Sequence, residues 1–171
     1  MNKTIYLVGA RAAGKTTIGK LLAEKLNYSF IDTDVYLLES TKCTIAEIVE
    51  KEGWEGFRVR ESQALKDVTA PCRVVATGGG MVLSDHNRAF MQQRGIVFFL
   101  SAPAQLLASR LIADPNVAQR PSLTGLSIVD EMERILSERH HLYMDCATHI
   151  ISVDCEEINI LSQMLDALNI N

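Results

Sequence analysis

Short apolar runs rich in β-branched residues alternate along this chain with longer stretches in which apolar residues recur at helical spacing. The runs "TIYLVG" at 4–9, "FIDTD" at 30–34, "RVVATG" at 73–78, "GIVFFLSA" at 95–102 and "HIISVD" at 149–154 read as strands. Between them, Lys15 to Leu26 places Ile18, Leu21, Leu22 and Leu26 on one helical face, and Ile160, Leu161, Met164, Leu165 and Leu168 form another. Thr44 and Glu47 in "TIAE" make a capping box, and "SIVD" at 127–130 is a second helix-start signal. Apolar strands separated by helices predict a parallel sheet covered on both faces, an α/β fold of three layers. One stretch fits neither period. "DPNVAQRPSLTG", at 114–125, carries two prolines and a glycine, and loops of this length in a compact domain are uncommon and often functional. It reads either as a lid over a site or as a plain solvated loop.

A length of 171 residues suits one domain, taken here as 1–171, and is short for two. Apolar residues make up 47% and charged ones 22%, yet no run approaches the about 18 apolar residues of a bilayer span. "MNKT" passes straight into "IYLVG" without the length or cleavage site of a signal peptide, so the expectation is a cytoplasmic protein with no membrane partner. The net charge of −4 speaks against a nucleic-acid partner, which would need an extended basic field. Any anionic ligand must therefore be held by local devices. Cys43, Cys72, Cys146 and Cys155 show no CxxC spacing and read as reduced, structural thiols.

The clearest local device is "GARAAGKT" at 9–16, a glycine, four residues, then Gly-Lys-Thr, set directly after an apolar strand and opening a helix. Backbone N–H groups of such a loop and the positive end of its helix wrap a β-phosphate. Lys15 reaches the β and γ oxygens, and the Thr16 hydroxyl ligates Mg²⁺. This predicts a nucleoside triphosphate site without saying what is done there. Asp32 and Asp34 end the "FIDTD" run, where a strand's two-residue period would put both on one side. One carboxylate can hold the metal and the other face an acceptor, or both can simply cap the next helix. A second glycine run, Gly78 to Gly80, closes the third apolar strand, where backbone can approach a small ligand without a Cβ in the way.

Taken together, "GARAAGKTT", "FIDTD", "GFRVRE", "ATGGGMVL", "QRPSLTG" and "ERHHLY" follow the order and approximate spacing of the shikimate kinases, and the resemblance spans essentially the whole chain. It implies a five-stranded parallel sheet of the P-loop, nucleoside monophosphate kinase type, and transfer of the γ-phosphoryl group of ATP to the 3-hydroxyl of shikimate. It also implies a monomer that uses Mg²⁺, with 112–126 as a mobile lid segment. Carried over residue by residue, the resemblance makes Asp34, Lys15 and Arg120 the catalytic groups. It assigns ATP to Ala12, Ala13, Gly14, Lys15, Thr16 and Thr17, with Arg110 stacking on adenine and Arg120 closing on the phosphates from the lid. Shikimate falls to Asp34, Arg58, Gly79, Gly80 and Arg139, and the metal to Thr16 and Asp32. On the residues alone, Arg58 with Glu61, and Arg139 with Glu138, are equally readable as helix-surface ion pairs. His86, His140, His141 and His149 match no role in the family, and Trp54 and Phe57 read as walls of the substrate pocket or of the core.

The family often has Gly-Cys where this chain has Ala12 and Ala13. A positive φ at position 12 would strain an alanine by about 1 kcal/mol or more. The rival readings are another small-molecule kinase, acting on gluconate or a nucleoside monophosphate, a nucleotide-driven switch, and a binder that senses shikimate without turning it over. A nucleoside monophosphate kinase would carry an Asp-Gly-Phe-Pro-Arg stretch, which is absent here, and the switch lacks both Asn-Lys-x-Asp and a late metal-binding Asp, since "RVVA" ends in Thr77 and glycines.

Overall fold

The computed structural model describes residues 2–114 and 122–170. Five strands alternate with seven helices among them: β1 (Thr4–Val8), α1 (Lys15–Leu26), β2 (Ser29–Asp32), α2 (Thr33–Thr41), α3 (Ile45–Val68), β3 (Arg73–Ala76), α4 (Asp85–Arg94), β4 (Gly95–Ser101), α5 (Ala104–Ala113), α6 (Ile128–Cys146), β5 (His149–Ser152) and α7 (Glu157–Ala167). A single 3₁₀ turn, Met81–Leu83, follows the glycine run.

The strands form one parallel sheet in the order β2-β3-β1-β4-β5. Being central, β1 is buried along its whole length, and its side chains alternate between two cores. Ile5 and Leu7 pack with Val74, Phe98 and Leu100 against Leu22 of α1, Leu107 of α5 and Met164 of α7. Tyr6 and Val8 pack with Val75, Val97 and Phe99 against Leu65 of α3, Met91 of α4 and Tyr143 of α6. That is the expected three-layer α/β architecture. The apolar face predicted for α1 is present, with Ile18 and Leu22 buried and Leu21 and Leu26 partly so.

Both start signals hold. Thr44 and Glu47 exchange the two capping-box bonds at the start of α3, and the Ser127 hydroxyl accepts from the Asp130 N–H at the start of α6. Inside α3, Gly53 leaves the helix with φ 71° and ψ 176°, so the chain re-aims before Trp54. This kink was not anticipated. It turns the second half of the helix so that Trp54, Phe57, Arg58 and Glu61 line one pocket.

Reversal of strand order on either side of β1 opens a crevice beyond the strands' C-terminal ends, the place where open α/β sheets bind ligands. Both glycine-rich segments, after β1 and after β3, end there. Of the 112–126 stretch, Ile112 and Ala113 complete α5, while 122–124 are tied to Glu131 of α6, whose Oε1 accepts from the Ser122 hydroxyl at 2.7 Å, the Leu123 N–H at 2.7 Å and the Thr124 N–H at 2.9 Å. Residues 115–121, with Arg120, lie outside the described residues. Among those described, no helix is long and apolar enough to cross a membrane, and all four cysteines are free thiols.

Candidate active site

The loop from Gly9 to Gly14 wraps the start of α1 because three of its residues take left-handed or otherwise glycine-favouring backbone: Gly9 (φ 149°), Ala12 (φ 63°) and Gly14 (φ 87°). Lys15 folds back across it, its ammonium donating to the carbonyls of Gly9 at 2.6 Å and Ala10 at 2.7 Å. The loop amides thus face a cavity of about 410 Å³ whose lining runs from Arg11 to Thr17 and includes Asp32, Asp34, Gly78 and Gly79.

Ala12 is the one non-glycine in that loop with positive φ, so the strain foreseen for an alanine at this position is present. A left-handed L-residue costs about 1–2 kcal/mol, and the extra freedom of an unfolded glycine returns roughly 0.5–1 kcal/mol of it. Ala12→Gly is therefore expected to raise stability slightly, by about 2 °C in thermal unfolding followed by circular dichroism. An unchanged or lower midpoint would mean that the alanine is not strained.

Asp32 and Asp34 are placed differently from the strand-end arrangement expected of them. The strand stops at Asp32, whose Oδ1 caps α2 by accepting from the N–H groups of Asp34 at 2.8 Å and Val35 at 3.3 Å. Its other oxygen, Oδ2, accepts from the Thr16 hydroxyl at 2.6 Å. Asp34 sits in the first turn of α2, so a strand-to-helix turn, not a strand period, brings the two carboxylates to the same cavity. The capping preference of Asp at a helix start overrode continuation of the strand. No cluster of three or more His, Cys, Asp or Glu able to hold a metal occurs among the described residues. A hydroxyl next to a carboxylate with one oriented oxygen fits Mg²⁺, which binds through one or two carboxylates together with substrate phosphates.

Beyond Asp34 the cavity leads into a second pocket, lined by Ile45, Trp54, Phe57, Arg58, Glu61, Gly80, Leu123 and Arg139. The Arg58 guanidinium lies 5.4 Å from the centre of the Trp54 ring and 5.2 Å from that of Phe57, and it donates to Glu61 at 2.8 Å. The ion pair foreseen between Arg58 and Glu61 exists, but its carboxylate is only 1% exposed, which makes it part of the pocket wall and not a surface pair. Burial pushes the Glu61 carboxyl above its ordinary range against the pull of Arg58. Arg139 is half-buried in the same wall, and Glu138 pairs instead with Arg134 at 3.0 Å.

Two members of the second glycine run, Gly78 and Gly80, are explained by space. None of Gly78, Gly79 and Gly80 has positive φ, but a Cβ on Gly80 would fall on the Arg58 guanidinium and one on Gly78 would come within 2.6 Å of Glu61 Oε2. The run is further pinned by Tyr143, a fully buried phenol stacked on Phe99 that donates to the Gly79 carbonyl at 2.6 Å, and by Thr33, which accepts from the Gly78 N–H at 3.1 Å. Burial pushes the Tyr143 hydroxyl up to about 12, so it remains a donor across the physiological range.

The family model for shikimate kinase matches residues 11–169 of this chain. The chain belongs to the shikimate kinase family. Shikimate kinase 2 of Syntrophotalea carbinolica is 55% identical over 168 residues, covering 98% of both chains. The solved shikimate kinase of Acinetobacter baumannii, in complex with shikimate, superposes with a TM-score of 0.92 at 36% identity over 99% of this chain and 94% of that one. That of Bacteroides thetaiotaomicron gives 0.91 at 31%, over 99% and 100%. The P-loop kinase fold expected from the sequence is therefore the observed one.

Of the site residues named from the shikimate kinase resemblance, the structure gathers Ala12 to Thr17, Asp32, Asp34 and Gly79 around the first cavity, and Asp34, Arg58, Gly79, Gly80 and Arg139 around the second. Arg110, on α5, reaches over the phosphate loop, donating to the carbonyls of Val153 at 3.1 Å and Ala12 at 3.4 Å. Arg120 lies outside the described residues. Sequence reasoning missed Arg11, Glu61, Tyr143 and Thr33. All four stood inside the motifs, and the signal for their roles, burial and contact with distant segments, is a property of the fold. His140 and His149 pack on Phe99 and Phe98, in keeping with a structural reading.

Proposed function

We propose that this chain transfers the γ-phosphoryl group of ATP to the 3-hydroxyl of shikimate, giving shikimate 3-phosphate and ADP on the route to aromatic amino acids, as a single-domain, cytoplasmic monomer with no nucleic-acid or membrane partner. The observation that carries the reading is the join between the two pockets at Asp34. One pocket is a phosphate cradle. The other presents guanidinium groups of Arg58 and Arg139, suited to a small planar carboxylate, beside a glycine run stripped of side chains.

In this reading the amides of Ala12 to Thr17 hold the β- and γ-phosphates, Lys15 neutralises the transferring group, and Arg110 faces the base. Thr16 and Asp32 would hold Mg²⁺, which when bound supplies charge neutralisation on the phosphates. Arg58 and Arg139 fix the shikimate carboxylate, and Gly79 and Gly80 let the ring approach the backbone. The acceptor hydroxyl is thereby pointed at Asp34, which orients it for in-line attack and takes its proton. Positioning and charge neutralisation are most of what phosphoryl transfer requires. Arg120 is assigned to the phosphates on the shikimate kinase resemblance.

A coupled assay of ADP release, run against shikimate, gluconate, AMP and no acceptor, tests this. Release is expected with shikimate alone and should vanish when EDTA removes divalent cations. Equal release with gluconate or AMP, or none with any acceptor, would overturn the assignment.

A further inference from the structure

The transferred group must cross from one pocket to the other through the wall that they share. Four residues line both cavities: Arg11, Asp34, Gly78 and Gly79. Asp34 is an acid, and the two glycines offer only backbone. Lys15 lines the nucleotide side alone, and Arg58 and Arg139 the acceptor side alone. Among the described residues, Arg11 is therefore the one cationic residue that lines both cavities.

We infer that Arg11 is a further catalytic residue, one whose guanidinium contacts the phosphoryl group while it is in flight between ADP and the acceptor. In that step the bond between the γ-phosphorus and the β–γ bridging oxygen breaks and its electron pair leaves with ADP. The acceptor oxygen bonds the phosphorus and its proton passes to Asp34. Negative charge spreads over the three equatorial oxygens midway, at the shared wall, which Lys15 approaches from the nucleotide side and which Arg11 borders on both sides. A guanidinium has five donors in a fixed fork, enough to meet those oxygens while keeping a resting counter-ion.

The surroundings hold Arg11 ready for this. It also lines a third cavity with Leu111, Leu123, Glu131 and Arg139, and its guanidinium feels the charges of Glu131 on α6 and of Asp114. Burial there lowers the guanidinium's affinity for its proton, while Glu131 and Asp114 pull it back up. Glu131 in turn is kept ionised: burial pushes it up, but hydrogen bonds from Ser122, Thr124 and Leu123 outweigh this and hold it below the ordinary range. Glu131 is thus a fixed negative charge whose pull reaches Arg11. In the phosphate-loop pattern Arg11 occupies one of the four unspecified positions, which is why the motif alone does not single it out.

The proposal rests on the kinase reading above, and its test separates the two. Steady-state constants are measured for wild type, Arg11→Ala, Arg11→Gln and Arg11→Lys, alongside the affinity for ADP with shikimate in the presence and absence of aluminium fluoride, which mimics the group in flight. In Arg11→Ala, kcat should fall by about 10²-fold with both KM values within about twofold, and the aluminium fluoride complex should weaken by a similar factor while ADP binding does not. Lysine should restore part of the loss through its charge. If alanine prevents folding, the same split is expected of Arg11→Gln. An Arg11→Ala enzyme with wild-type kcat, or a loss confined to KM, or equal weakening of ADP with and without fluoride would overturn it. A wild-type protein with no shikimate-dependent ADP release would remove the kinase reading and this proposal together.

Discussion

Lys15→Met is expected to leave a folded protein whose phosphoryl transfer falls by about 10³-fold or more, below detection in a coupled assay. Methionine keeps the length and the apolar stem of the side chain and loses its charge. Two consequences follow from the geometry. The carbonyls of Gly9 and Ala10 lose the ammonium that now bonds them at 2.6 and 2.7 Å. They border an open cavity where water can replace it, so the cost in stability should be about 1–2 kcal/mol, seen as a small drop in the unfolding midpoint. The transferring group loses its nearest cation on the nucleotide side, and no other described lysine or arginine but Arg11 lines that cavity. Near-normal turnover in the variant would refute the phosphate-loop assignment, and a large fall in the midpoint would show that the lysine mainly holds the loop.

For Asp34→Asn, turnover with shikimate should drop by roughly 10²- to 10⁴-fold while slow ATP hydrolysis without acceptor barely changes. The structure supports this separation. Asp32 is committed by one oxygen to the cap of α2 and by the other to Thr16, which keeps it on the nucleotide side. Asp34, two residues along in the first turn of α2, lines both cavities. Its contribution should be largely orientation of the acceptor hydroxyl, since a loose transition state needs little proton removal early on. The decisive measurement is the pair of rates, with and without shikimate. Equal proportional loss of both would place Asp34 in the metal site instead.

Much of this architecture is legible in the chain itself. Each of the five apolar runs became a strand, and both start signals cap helices, because these features depend on neighbours within about one turn or one strand length. The phosphate loop was equally readable, since a strand, a glycine-framed turn and a helix N-terminus are contiguous in sequence. The two carboxylates illustrate the boundary. Their presence at the crevice was visible, but which residue ends the strand depended on whether Asp32 would cap, and capping was decided once Thr16 and α2 were both in place.

The sequence by itself determined the fold class, the nucleotide loop and, through the order of its motifs, the shikimate kinase family. Tertiary structure alone decided what the rest of the site is made of. The kink at Gly53 turned Arg58 and Glu61 inward, and the removal of water around Glu61 made an ordinary i, i+3 pair into a pocket wall. Tyr143 is 64 residues from the carbonyl it holds, and Arg11 became a shared boundary only when the loops after β1 and β3 were brought side by side. Such roles arise from burial and from contacts between distant segments, and no local pattern of hydrophobic and polar residues encodes either.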